Sequence, residues 1–194
     1  MSLAYRVMYR LGFTPWEQEE PITDLVEIVD ALPPGTALDI GCGTGRYAVY
    51  CARRGWRVTG IDDVPLALDR ARAYCREAGQ EVRLIRGDIA AHPEVGDGYS
   101  LLIDIGCLHG LNAAGLSRAV ANLSRAAAPG ATLLTFAIAK GAPKPGPIGI
   151  DPDDVPGVFR GWQLVSTRRA DEIVMHGRLA AAQPYVHRLV RRQS

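Results

Sequence analysis

Short apolar runs alternate along the chain with longer stretches in which apolar residues recur every three or four positions. That is the pattern of strands threaded between helices in a parallel sheet. Thr36-Ala37-Leu38-Asp39-Ile40 is the first such run and ends in a glycine cluster, Gly41, Gly43 and Gly45. A helix is predicted from there to Arg54, with Tyr47, Ala48, Cys51 and Ala52 on one face and Gly55 as its stop. Trp56 to Ile61 reads as a second strand closing in Asp62-Asp63. Pro65 opens the next helix, whose stripe is Leu68, Ala71, Cys75 and Ala78, with Gly79 beyond its end. Val82 to Ile85 and Leu101 to Ile105 read as strands three and four, the former running into Gly87-Asp88. Leu116, Ala119, Val120 and Leu123 mark a further helix, broken by Pro129-Gly130 before a fifth strand from Ala131 to Ala139.

The flanks differ from this core. Thr14-Pro15-Trp16-Glu17 has the residues of a helix start: Thr as N-cap, Pro at the first helical position and Glu completing a capping box. Asp24 and Glu27 repeat the pattern before Leu25, Ile28, Val29 and Leu32. Residues 1–33 are therefore expected to form a helical cap beside the sheet. Residues 140–157 hold five Pro and four Gly, too many for an uninterrupted element, and read as a loop or lid. Trp162 to Thr167 and Tyr185 to Val190 alternate like antiparallel strands. The organisation is a single domain over 1–194, with the cap at 1–33, a core at 34–139, the loop at 140–157 and terminal strands at 158–194.

Composition narrows the class. A chain of 194 residues suits one domain with a self-sufficient core. Twenty-two basic against 21 acidic residues leave a net charge of +1, so no overall field draws the protein to nucleic acid or membrane. There is no membrane-length apolar run and no secretory apolar core at the start. Cys42, Cys51, Cys75 and Cys107 form no C-x-x-C pair, which excludes a secreted disulfide framework and points to the cytoplasm. His92, His176 and His187 lack ligand spacing, and no metal site is expected.

The glycine cluster carries the chemistry. Glycines between a strand and a helix let backbone approach a ligand. A phosphate-binding P-loop needs a Lys that is absent here. A dinucleotide fingerprint starting at Gly43 finds Gly45 third and Ala48 sixth, which leaves a nicotinamide or flavin enzyme open. The spelling that fits best is acid-x-G-x-G-x-G, from Asp39 through Gly41, Gly43 and Gly45.

With ALDIGCGTG at 37–45, the acid Asp62 after strand two and Gly87-Asp88 after strand three, the chain resembles the class I S-adenosylmethionine-dependent methyltransferases. Leu102-Ile103-Asp104-Ile105-Gly106 and the Pro129-Gly130 turn follow in the family's order, over roughly the first 140 residues. The resemblance implies a Rossmann-like α/β fold: a doubly wound, seven-stranded, mostly parallel sheet with an antiparallel last strand between two helical layers. It also implies S-adenosylmethionine as methyl donor, S-adenosylhomocysteine as product and no metal. The donor contacts it implies are Asp39, Gly41, Cys42, Gly43, Gly45, Asp62, Asp63, Asp88, Ile89 and Asp104. Asp39 would lie by the methionine end, Asp62 on the ribose hydroxyls, Asp88 on the adenine amine and Ile89 against its ring. Val64 departs from the family, which often has Ser there, and a helix-start hydrogen bond is lost with it.

The acceptor is less legible. The DNA-amine signature (D/N)-P-P-(Y/F) is absent after strand four, and D-I-G-C-L-H-G-L instead looks like small bacterial methyltransferases of the thiopurine and heterocyclic-toxin type. The implied reaction puts a methyl group on O, N or S of a small aromatic, heterocyclic or thiol compound. Trp16, Cys107, His109 and Tyr185 are the candidate pocket residues, with His109 a candidate general base, since an imidazole of ordinary pKa accepts a proton at neutral pH. Each has a plainer reading as helix anchor, packing residue, turn histidine or strand residue. Two alternatives stand beside this one. Residues 160–194 carry seven Arg against Asp171 and Glu172, a strip that could follow RNA phosphates, and an RNA or protein methyltransferase is the first alternative. The second is a non-catalytic, donor-binding partner subunit. Monomer and homodimer both remain open.

Overall fold

The computed structural model describes residues 7, 9–10, 20–91, 94–143, 146–171, 173 and 179–193. The capping box at 14–17, with Trp16, lies outside the described residues. Seven strands form one sheet: β1 (Thr36–Ile40), β2 (Arg57–Asp62), β3 (Val82–Arg86), β4 (Tyr99–Ile105), β5 (Ala127–Ile138), β6 (Trp162–Arg169) and β7 (Pro184–Arg191). Their order across the sheet is β3-β2-β1-β4-β5-β7-β6. The first five pair in parallel, and β7 lies antiparallel to both β5 and β6. The Rossmann-like expectation is met.

Period-2 alternation divides the core into two layers. Leu101 and Ile103 of β4 face one layer with Ala37, Leu134 and Phe136, against helix α1 (Thr23–Ala31) and helix α2 (Arg46–Ala52). Leu102 faces the other with Leu38, Ile40 and Leu133, against α4 (Ala113–Ala126). Helix α3 (Pro65–Glu77) packs against β2, β3 and α2. Leu25, Ile28 and Val29 of α1 are buried, each worth about 1.5–3 kcal/mol of apolar transfer. Asp24 does not cap this helix. It sits in the first turn and pairs with the Arg168 guanidinium on β6. The acidic head of the chain thus neutralises part of its basic tail.

Strand five departs from expectation. It begins at Ala127, directly after α4, and Tyr99 pairs with Ala127 while Leu101 pairs with Thr132. Pro129 and Gly130 therefore sit in an outward excursion of the strand rather than in a separate turn before it.

The proline-rich segment is pinned to the body of the protein. Gly149 donates its N–H to the His109 carbonyl at 3.0 Å, and Ile150 donates to Ile138 at 2.9 Å. Ile150 and Val155 enter the core, Val155 from the one-turn helix α5 (Val155–Val158). Lys140 ties the two ends together, its N–H bonded to Asp151 and its ammonium paired with Asp154. Gly149 makes this docking possible. Its φ is +88°, and a Cβ there would lie 2.7 Å from the backbone of Ala139. Gly149→Ala should lower the melting temperature by several degrees in a thermal scan, whereas Gly157→Ala, where a Cβ meets nothing, should leave it unchanged.

Candidate functional site

The sheet's order reverses between β1 and β4, and in such folds ligands bind outside the carboxyl ends of the strands at that crevice. Here the ends of β1, β2 and β4 each bring an aspartate into the interior: Asp39, Asp62 and Asp104, all buried. A carboxylate in that position must collect hydrogen bonds or a cation. The three do so to different degrees.

Asp104 is fully provided for. It accepts from the N–H groups of Cys107 (2.9 Å) and Leu108 (3.1 Å) and from the Thr135 hydroxyl (2.5 Å). Burial still raises its pKa to about 6. It shapes the turn after β4 and lines neither of the clefts described below.

Asp62 accepts from Gly43 N–H at 3.0 Å and Val64 N–H at 2.8 Å. Burial raises its pKa, and these two donors oppose that rise. The second bond resolves the family departure at Val64. That residue is the N-cap of α3 and has no side-chain cap, and the Asp62 carboxylate takes its N–H. The first bond ties the strand-two acid to the glycine turn.

Asp39 is the least satisfied. Its pKa is pushed up to about 7, first by burial and then by the neighbouring Asp62, with the Ala48 N–H of α2 opposing. Its second oxygen, Oδ2, is buried without a hydrogen-bond partner among the described residues. The turn beside it follows a tight path: the N–H groups of Gly41 and Cys42 both reach the Ile61 carbonyl. At Gly43, where φ is +53°, an added Cβ would stand 2.7 Å from the Tyr9 hydroxyl.

Two adjoining clefts share Gly41. One runs between Asp62, Asp63, Asp88, Ile89, Cys107 and Leu111. Asp88 is fixed there by the Ala90 N–H at 2.8 Å. The other lies between Asp39, Cys42, Gly43, Tyr47, Tyr9 and Ile105. A wider groove between Trp56, Arg76 and Tyr99 opens at the opposite, amino ends of β1–β3, away from the glycine turn. The structure thus gathers Asp39, Gly41, Cys42, Gly43, Asp62, Asp63, Asp88, Ile89 and Cys107 around the two clefts, and leaves Gly45 and Asp104 behind them as supports. No group of His, Cys, Asp and Glu suited to a metal occurs among the described residues.

Of the other pocket candidates, His109 has a different task from the one its sequence position suggested. Its Nδ1 accepts the Ile138 N–H at 2.8 Å, and burial lowers its pKa to about 4. The lone pair that a general base must offer is already engaged, so the ring is a brace between the β4 turn and the end of β5. Tyr185 lies on β7, bonded to Gln183 and stacked on His187, and lines neither cleft. Two tyrosines were missed. Tyr9 precedes any legible periodicity, yet is buried on Val64 and Ala67. Tyr47 belongs to the apolar stripe of α2, where only its place one turn beyond Asp39 and the glycines hinted at more.

Comparison with known proteins finds similar sequences and a shared fold. Residues 37–130 match the family described as a methyltransferase domain. Within this match the chain carries all four of the strand-end aspartates, Asp39, Asp62, Asp88 and Asp104. It is 28% identical over 130 residues to the 2-heptyl-1-hydroxyquinolin-4(1H)-one methyltransferase of Mycobacteroides abscessus, covering 66% of this chain and 57% of that protein. It is 30% identical over 158 residues to the malonyl-[acyl-carrier protein] O-methyltransferase of Pectobacterium atrosepticum, covering 79% and 54%. The chain thus spans little more than half the length of these curated relatives. The fold is shared with the 1,6-didemethyltoxoflavin-N1-methyltransferase of Burkholderia thailandensis, solved with S-adenosylhomocysteine, at a TM-score of 0.76 and 18% identity over 98% of this chain and 86% of that one.

The Asp39 carboxyl gives a pH-dependent signature. Its folded pKa of about 7 lies above the ordinary 3.8, so the folded state holds the proton more tightly, and stability is lost as pH rises from 3.8 through 7. Asp39→Asn removes that loss while keeping an oxygen for Ala48. Melting temperatures should show the variant gaining on the parent progressively from pH 4 to pH 8; a constant difference would contradict the assignment.

Proposed function

We propose that the protein transfers the methyl group of S-adenosylmethionine to O, N or S of a small heterocyclic, aromatic or thiol acceptor. The observation that carries this reading is the convergence of Asp39, Asp62 and Asp88 on a bare glycine turn. The donor has a ribose diol, an adenine amine, an ammonium and a sulfonium, all suited to carboxylate acceptors, and no phosphate for a basic site to grip. Asp62 is already held by two N–H donors and turned to the cleft, ready for the diol. Asp88 and Ile89 flank the position of the base, and the unpartnered oxygen of Asp39 awaits a cation.

The donor supplies an electrophilic methyl group on a positively charged sulfur whose departure needs no further activation. The chain's own contribution is to fix the two reactants in line and exclude water. Gly41 and Gly43 let backbone close on the donor, Tyr9 covers the turn, and Asp104 and His109 hold the β4 end against β5. With the His109 lone pair engaged by Ile138, that ring does not take the acceptor's proton.

The comparisons favour a small acceptor. The similar proteins include methyltransferases of a hydroxyquinolone and of a toxoflavin precursor. The basic tail supports the same choice, because three of its seven guanidiniums serve the fold. Arg168 pairs with Asp24, Arg169 with Asp171, and Arg191 bonds the carbonyls of Gly161 and Ser124.

The test is transfer of a labelled methyl group to panels of hydroxylated heterocycles, small thiols and bulk RNA. Label in the first two panels is the expected result, and label in RNA alone would overturn the acceptor class. Asp62→Asn should weaken donor affinity at least tenfold in calorimetry, since it removes the charge that receives a diol and weakens the anchor of Gly43. Unchanged affinity would remove Asp62 from the donor site.

A further inference from the structure

The cleft beside Asp39 contains a second polar atom that the family pattern does not use. Tyr47 follows the glycine turn on the first turn of α2 and lines the same cleft as Asp39. Both Tyr47 Oη and Asp39 Oδ2 are buried, and neither has a hydrogen-bond partner among the described residues. They are electrostatic neighbours, since Asp39 is among the groups that push the Tyr47 hydroxyl up to about 12. Leaving each of these buried atoms without its hydrogen bond costs about 1–3 kcal/mol, a cost that a group inserted in the cleft both residues line would relieve.

We propose that Tyr47 is a donor-positioning residue: its hydroxyl oxygen and Asp39 Oδ2 together receive the ammonium of the donor's amino-acid end. An ammonium has three N–H donors and matches two converging acceptors. A neutral hydroxyl beside the carboxylate adds a second acceptor without a second negative charge, in a place already crowded by Asp62 and Asp104. The phenol is fixed by the helix that Asp39 itself anchors through Ala48. Anchoring one end of the donor at this point fixes how far the sulfur reaches toward Ile105 and the end of β4. The inference rests on the donor reading above and adds to it one residue and one functional group.

Tyr47→Phe is the natural variant, since it deletes one oxygen and keeps the ring. Calorimetry with three probes separates the outcomes: S-adenosylhomocysteine, its decarboxylated analogue, which keeps the ammonium, and 5′-methylthioadenosine, which lacks the amino-acid end. The variant should lose about tenfold in affinity for the first two and nothing for the third, as for one hydrogen bond to a charged group. Its melting temperature without ligand should not fall, because the hydroxyl has no partner to lose. An equal loss for all three probes would make Tyr47 a packing residue, and a loss for S-adenosylhomocysteine alone would move the hydroxyl to the carboxylate. Either result overturns the proposal. If the parent protein itself binds none of the probes, it is the donor reading that fails.

Discussion

Three carboxyl groups at the ends of β1, β2 and β4 lie inside an apolar sheet, and the rest of the site is arranged around keeping them there. Burying a carboxylate is unfavourable by several kcal/mol unless hydrogen bonds or a cation compensate it. The chain compensates with backbone. The turn after β4 turns two N–H groups onto Asp104, the glycine turn and the start of α3 each give one to Asp62, and α2 gives one to Asp39. The loops between strands and helices therefore have their shapes because of the acids they satisfy. Of the three, only Asp39 is left with an oxygen that has no partner among the described residues, and the proposed selectivity for a positively charged ligand rests on that remainder.

Much of this was legible in the sequence because it depends on local chemistry. The alternation of apolar runs and helical stripes located every core strand, since each strand is buried on both faces or pairs with one that is. The ALDIGCGTG segment and the aspartates at 62 and 88 pointed to the two clefts, because a parallel sheet brings strand ends together whatever lies between them. The roles within that set were not legible. Asp104 and Asp39 look alike in sequence. One is saturated by Thr135 from a strand 31 residues away, and the other faces an open cleft.

The features left open by the sequence share a cause: long-range contacts that no window of residues contains. The glycine- and proline-rich stretch at 140–157 has the composition of a free loop, yet Gly149 and Ile150 bond back to His109 and Ile138, and Val155 fills the core. The same contacts decide the fate of His109. Position alone put it at the reaction centre, but a backbone N–H of β5 takes its lone pair and the surrounding core keeps it neutral. Tyr47 shows the reverse. Its helical stripe marked it as packing, and the burial of its unpartnered hydroxyl, on a residue that lines the same cleft as Asp39, is the ground for the polar role proposed for it.

The selectivity of the cleft for a cationic, phosphate-free nucleoside is the claim from which the others descend. It is tested most directly by equilibrium competition at neutral pH between S-adenosylmethionine and NAD for the unmodified protein, read by calorimetric displacement. Saturable binding of S-adenosylmethionine that NAD does not displace is the expected result. Binding of NAD with no measurable uptake of S-adenosylmethionine would contradict it.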